Sequence, residues 1–299
     1  MKLLVIGGNG QVGHELLRSL APLGAVVATT RSGQLEGGAP CESFDLADLD
    51  AIAPLLDRVR PDVVVNAAAY TAVDRAEDDT EAAFRANAEG PGRLAIECAA
   101  RGISLVHYST DYVFDGQGSR PYREDDATAP IGVYGQSKLA GEQAIAASGV
   151  RHLILRTAWV YGLHGANFLR TMLRVGAERD ELRVVADQRG TPTPAWLIAD
   201  ATAHILQSGF DRSAVLHLVA NGETTWHAFA EAIFADSVPA GLIERAPRVI
   251  AITTSDYPTR ARRPAYSVLD NGRLQADFDI ALPDWREALG KTLAVAQLR

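Results

Sequence analysis

The sequence predicts an α/β fold, a doubly wound parallel sheet, from three observations: short apolar runs alternate with helical patterns, several apolar runs end in glycine or small residues, and the first of them ends in Gly7-Gly8-Asn9-Gly10-Gln11-Val12-Gly13. The 299 residues, 47% hydrophobic, suffice for one large domain or for one large and one small. The expected division is a dinucleotide-binding, Rossmann-like domain over 1–160 and a smaller C-terminal substrate-binding domain over 161–299, interleaved with returns to the sheet. A net charge of −8 argues against a nucleic-acid partner, which calls for basic stripes. No apolar run approaches the roughly 20 residues of a membrane span. The stretch before the first glycines is too short for a signal peptide. Cys41 and Cys98 lack metal-ligand spacing, so no disulfide scaffold or zinc site is suggested. The expected setting is soluble, reduced and cytoplasmic, with no membrane partner.

Residues 3–6 read as the first strand, and Val12, Leu16, Leu17 and Leu20 give the following helix one apolar face. Between them, glycines allow backbone to approach a pyrophosphate and the helix N-terminus supplies amides and partial positive charge. Residues 25–30 are a second strand, after which Arg31 stands where an acidic residue often meets the adenosine ribose; an arginine there suits a 2′-phosphate, favouring NADP over NAD. A helix follows over 48–58. Residues 61–66 form a strand buried on both faces, and Ala67-Ala68-Ala69 lets backbone lie close to a flat cofactor. A long helical region is expected over 73–101, with Asn87 inside it as a relay or supporting polar group. Residues 103–108 are the next strand, delivering Ser109 and Thr110 at the sheet's ligand-binding end. The polar loop 112–131 is long enough to read as functional.

The helix over 134–147 carries Tyr134 and Lys138 four residues apart, hence on one face. An ammonium held near a phenol favours the phenolate, so Tyr134 is the candidate for proton exchange with a carbonyl or alcohol oxygen. A strand at 151–157 leads to Trp159. Beyond residue 165 the rhythm loosens: helices are expected over 167–178, 196–207, 225–234 (capped by Thr224 or Thr225) and 284–298, with strands over 182–186 and 215–219. Between 257 and 264 the three arginines Arg260, Arg262 and Arg263 stand in an otherwise acidic chain, suited either to a diphosphate or to a solvated basic loop.

The glycine turn, Asn66-Ala67-Ala68-Ala69, Ser109-Thr110 and Tyr134-x-x-x-Lys138, in that order, resemble the extended short-chain dehydrogenase/reductases. Gly10-Gln11-Val12-Gly13-His14-Glu15-Leu16, Tyr70-Thr71-Ala72-Val73-Asp74, His107-Tyr108-Ser109-Thr110-Asp111-Tyr112-Val113-Phe114, Arg156-Thr157-Ala158-Trp159-Val160-Tyr161 and Asp187-Gln188 resemble the branch that reduces the C4 ketone of dTDP-4-dehydro-L-rhamnose, the last step of dTDP-L-rhamnose synthesis. That resemblance spans essentially the whole chain. It implies Tyr134 as proton donor, Lys138 on the nicotinamide ribose, and Thr110 on the sugar oxygen. Gly7, Gly10, Gln11 and Val12 would line the pyrophosphate of NADPH, with NADH as a second option. Arg31, Asp45 and Leu46 would meet the adenosine end, and Ala69, Tyr70, Thr71 and Tyr108 would flank the cofactor. Asp111, Trp159, Arg260 and Arg263 would contact a dTDP-sugar substrate. Tyr70 departs from the histidine frequent there. Some members hold magnesium at a dimer interface through glutamates; Glu15 matches one, but Trp196 stands where the second is expected, so no metal is anticipated and the metal-linked form of a homodimer is in doubt. The alternatives are a non-catalytic nucleotide-binding subunit of the methionine adenosyltransferase type, or another sugar-nucleotide epimerase or reductase.

Overall fold

The structure, a computed structural model, describes residues 1–297. The chain opens with β1 (Lys2–Ile6), α1 (Gln11–Leu20), β2 (Ala25–Thr30), β3 (Glu42–Ser43), α2 (Ile52–Val59) and β4 (Val63–Asn66). The region expected as one helix over 73–101 is instead α3 (Val73–Ala76), α4 (Thr80–Phe84), a π turn (Arg85–Glu89) and α5 (Gly90–Ala100). Pro91 has no N–H to give the carbonyl four residues back, and the Gly90 N–H reaches the Arg85 carbonyl instead. The Asn87 carbonyl so released is packed against Gly141, where a Cβ would come within 2.0 Å of it.

Next come β5 (Ser104–Thr110), α6 (Val133–Ala147), β6 (His152–Thr157), β7 (Val160–Tyr161), α7 (Phe168–Glu178), β8 (Glu181–Val185), β9 (Arg189–Gly190) and β10 (Thr193–Pro194). The chain closes with α8 (Ala195–Ser208), β11 (Ala214–His217), β12 (Thr224–Thr225), α9 (Trp226–Ser237), β13 (Arg248–Ile252), α10 (Gly272–Phe278) and α11 (Trp285–Ala296). Asn167, Thr225 and Asp284 cap α7, α9 and α11 by accepting from backbone amides of the first turn. The last residue of the helix expected over 284–298 lies outside the described residues.

Seven parallel strands form the main sheet in the order β11-β6-β5-β4-β1-β2-β3. The order reverses direction between β1 and β4, and it is at the C-terminal ends of strands flanking such a switch that doubly wound sheets bind ligands. Both faces are covered, which explains the unbroken apolar runs: Leu3 and Val5 join Leu16, Leu20, Leu197 and Ile205 on one side, while Leu4 and Ile6 join Ile52, Leu94 and Ile145 on the other. A third cluster, with Leu169, Met172, Leu182, Phe229, Ile233 and Leu293, holds α7, α9, α11 and β8 together beyond the sheet's C-terminal end. The strand β13, absent from the sequence expectation, pairs in parallel with β8. Loop 112–131 is pinned, since Glu124 Oε1 accepts from the His217 N–H (2.9 Å) and Tyr122 stacks on Phe114 with centroids 4.3 Å apart. Among the described residues no helix is long and apolar enough to cross a membrane.

Candidate active site

The glycine turn is closed so tightly that side chains have no room. Gly7 takes φ +89°, and a Cβ on Gly13 would fall 2.0 Å from the Gly7 carbonyl. The Gly10 N–H bonds the Gly7 carbonyl at 2.9 Å, leaving the first turn of α1 facing the switch point. Val12 packs on the core, while Gln11 Oε1 is buried with no partner among the described residues. Arg31 is exposed at the end of β2; Asp45 accepts from the Ala47 N–H (3.0 Å), and Leu46 is buried beside Gly90. Ala69 and Thr71 are exposed past β4, and Tyr70 is held by Asn87, whose Oδ1 accepts from the Tyr70 N–H (2.8 Å). The same Asn87 amide donates to Ser137 Oγ on α6 (3.0 Å), so the π turn ties the cofactor-side loop to the Tyr/Lys helix.

Thr110 ends β5, and α6 brings Tyr134 and Lys138 to it. The Thr110 hydroxyl donates to Asp111 Oδ1 (2.9 Å) and accepts from the Tyr112 N–H (3.2 Å). Tyr134 is partly exposed and meets the Tyr112 ring edge-on, with centroids 5.6 Å apart. Enclosure pushes its phenol up to about 12; a hydrogen bond with Thr110 opposes that, and the Asp111 carboxylate adds to it. This differs from the expected depression by Lys138. The reason is geometric: Lys138 Nζ donates to the Tyr108 carbonyl (2.6 Å) and lies 3.2 Å from His107 Nε2, bonded away from the phenol. Burial lowers Lys138 to about 8, with Glu142 opposing.

A buried polar chain continues from that lysine. Asn66 Oδ1 accepts from the Ala68 N–H (3.1 Å), which turns Asn66 Nδ2 toward His107 Nδ1 (3.0 Å). Burial and the Lys138 charge both hold His107 well below its ordinary value, in agreement with a neutral ring. Tyr108 contributes its carbonyl here; its hydroxyl is turned into the core against Thr202 Oγ1 (2.8 Å).

Asp111 is only 2% exposed, and burial raises it to about 6 against bonds from Ser267 and Thr110 that favour the charged form. A carboxyl raised in the folded chain gives stability that is full below the ordinary 3.8 and lost as pH rises through about 6. Asp111→Asn is therefore expected to raise the thermal midpoint at pH 8, with the gain shrinking toward pH 5. Scanning calorimetry at the two pH values checks it, and an equal gain at both would overturn it.

On the substrate side, Trp159 adopts φ +46°, rare for an aromatic residue, and stacks on Trp226 at 3.6 Å between centroids. Arg260 pairs with Asp78, and Arg263 donates to Asp74 Oδ2 (2.6 Å) while its Nη1 is buried without a partner among the described residues. Both arginines thus close on α3 and the turn that follows it, near Tyr112, whose phenol feels the Arg263 and Asp74 charges.

A family profile described as the RmlD substrate binding domain matches residues 1–298. The chain belongs to that family. It is 50% identical over 299 residues to a dTDP-4-dehydrorhamnose reductase of Burkholderia thailandensis, covering 97% of each chain. With the Escherichia coli K12 protein of the same name the identity is 43%, over 98% of this chain and 97% of that one. Among solved structures, a dTDP-4-dehydrorhamnose reductase from Clostridium acetobutylicum superposes with a TM-score of 0.90 at 34% identity, covering 99% of this chain and 100% of that one. The same enzyme from Bacillus anthracis, in complex with NADP, gives 0.88 at 31% identity, covering 97% and 98%.

Within this RmlD-family chain, Glu15 pairs with Arg18 (3.3 Å), which also binds Asp200 (2.8 Å). Trp196 Nε1 donates to Thr292 Oγ1 (2.9 Å). The sequence reading passed over His107, Ser267, Trp226 and the Glu142–Arg156 pair. His107 had a local signal, a polar side chain directly after Leu105-Val106, and Glu142 stands four residues after Lys138 on α6; Ser267, Trp226 and Arg156 become neighbours of the site through tertiary packing.

Proposed function

We propose that the protein reduces the C4 ketone of dTDP-4-dehydro-L-rhamnose to the alcohol of dTDP-L-rhamnose, with NADPH as the preferred donor. The observation that carries this reading is the pairing of Tyr134 with Thr110 at the end of β5, with Lys138 one turn along α6 on the Tyr108 carbonyl, in a chain half identical to a protein of that name. The cramped Gly7–Gly13 contact, which lets backbone amides approach closely, fits a pyrophosphate at the α1 N-terminus. When bound, the nicotinamide supplies the hydride. Tyr134 gives its proton to the developing alkoxide, and a phenol kept protonated up to about pH 12 arrives loaded for that transfer. Thr110 would hold the sugar oxygen beside Tyr134, and Lys138 would hold the nicotinamide ribose. Arg31 at the adenosine end favours the 2′-phosphate. Residues 1–160 hold the nucleotide in this reading, while Asp111, Trp159, Arg260 and Arg263 hold the sugar nucleotide with the segments of 161–299.

Loss of NADPH absorbance on adding dTDP-4-dehydro-L-rhamnose, made in place from dTDP-glucose, tests the reading; bound NADPH without turnover would favour a non-catalytic subunit. Because Lys138 loses its charge near pH 8, kcat/KM is expected to fall as pH rises through that value. A flat profile to pH 9.5 would remove Lys138 charge from the rate. Arg263→Ala frees no buried carboxylate, since Asp74 is half-exposed. It is expected to raise KM for the sugar nucleotide about tenfold or more with a smaller change in kcat, the signature of uniform binding to a diphosphate. A change in kcat alone would contradict that role.

A further inference from the structure

Apart from the reaction site, three side chains from separate segments meet in front of the glycine turn. His14 comes from the first turn of α1, Glu36 from the loop between β2 and β3, and His164 from the loop between β7 and α7. Their potential donor atoms all lie within 4.8 Å of one another. Glu36 Oε2 is 3.4 Å from His164 Nδ1 and 4.0 Å from His14 Nδ1, and the two imidazoles lie with centroids 3.5 Å apart, tilted by 30°. We propose that His14, Glu36 and His164 form a binding site for a divalent transition-metal ion of the zinc type.

The spacing is the first argument. Tetrahedral zinc with bonds of about 2.0–2.1 Å separates its ligand atoms by roughly 3.4 Å. The Glu36–His164 contact, at 3.4 Å, already has that value, and the Glu36–His14 contact, at 4.0 Å, must close by about half an ångström. The second argument is donor chemistry. Two imidazoles and one carboxylate select late transition ions over magnesium, which prefers all-oxygen, octahedral surroundings. Three protein ligands leave a fourth position for water. The third argument is support. Asn9 of the glycine turn donates to the Gln34 carbonyl and accepts from the Glu36 N–H, both at 2.9 Å, fixing the Glu36 loop to the turn. Asn167 Nδ2 donates to the Gly162 carbonyl (2.9 Å) and the His164 carbonyl (3.1 Å), fixing the other loop. Gly165 lies against Gln11, where a Cβ would be 3.1 Å from its Cγ. A bound ion therefore joins α1, the β2–β3 loop and the β7–α7 loop across the mouth of the pyrophosphate turn. The carboxylate is the most exposed ligand, at 62% of its side chain against 16% for His164, so the site is open to ions from solvent.

The test uses the untagged full chain, stripped with chelator. Calorimetric titration with Zn2+ is expected to give one ion per chain, and Co2+ in its place a visible absorption band of low-coordinate cobalt. His14→Gln, His164→Gln and Glu36→Gln are each expected to weaken Zn2+ binding about tenfold or more. Zn2+ is expected to raise the thermal midpoint of the wild type and not that of His164→Gln. Excess Mg2+ leaves the Zn2+ isotherm in place. Circular dichroism in metal-free buffer verifies folding of each variant, and the exposed Glu36→Gln supplies the comparison should a histidine variant fail to fold. Unchanged Zn2+ affinity in the folded variants, equal competition by Mg2+, or no saturable binding by the wild type would each overturn the site.

Discussion

Tyr134→Phe is expected to lower kcat by about 100- to 10,000-fold while leaving NADPH affinity near that of the wild type. In the proposed mechanism the phenol oxygen gives the proton to the sugar oxygen, because Thr110 is already committed to Asp111 and Lys138 is turned to the Tyr108 carbonyl. Removing one oxygen atom leaves the ring and its edge contact with Tyr112 in place. The loss is therefore one of transition-state stabilisation, about 3–5 kcal/mol on the scale of 1.36 kcal/mol per tenfold. Fluorescence titration of NADPH and steady-state kinetics on the same preparation separate the two effects. A variant with wild-type kcat would remove Tyr134 as the proton donor, and one that no longer binds NADPH would assign it to cofactor binding instead.

The second large effect is expected at Glu142, a buried residue of the same helix. Its carboxylate takes two bonds from the Arg156 guanidinium, 2.9 and 2.7 Å, with both side chains 5% exposed. Arg156 also lies over the Phe114 ring at 5.1 Å. Glu142→Gln leaves a buried, uncompensated cation and is expected to cost about 3–5 kcal/mol in denaturant unfolding. The double change Glu142→Leu with Arg156→Met should recover most of that loss, because the penalty comes from the unpaired charge rather than from lost attraction. Glu142 also favours charge on Lys138, so the alkaline fall of kcat/KM is expected to move to lower pH in Glu142→Gln. A loss below about 1 kcal/mol would mean that water or a neighbour compensates Arg156.

Much of this was legible before the structure. The strands announce themselves because a sheet covered on both faces needs unbroken apolar runs, as in Leu3-Leu4-Val5-Ile6. The Tyr134–Lys138 pair is legible because helix geometry alone puts residues four apart on one face. Helix starts at Asn167, Thr225 and Asp284 follow from short polar side chains that serve backbone amides locally. The expected helix over 73–101 was less accurate. Its apolar pattern continues through the break at Pro91, whose missing N–H is local but whose outcome, a π turn seated on Gly141, depends on a helix fifty residues away. The strand β13 was missed although Val249-Ile250-Ala251-Ile252 is itself an apolar, β-branched run; it pairs in parallel with β8.

The sequence by itself determined the alternating α/β order, the glycine turn, the Tyr/Lys face and the strand end that carries Thr110, all consequences of short-range periodicity and local backbone freedom. Tertiary structure alone decided where charges and protons sit. It turned Lys138 toward His107 and the Tyr108 carbonyl, raised Tyr134 and Asp111 by enclosing them, paired Glu142 with Arg156, and brought His14, Glu36 and His164 together from three segments. The physical reason is one of range. Periodicity acts over a few residues, whereas desolvation and hydrogen-bond partnership depend on whichever groups the folded chain delivers to the same few ångströms.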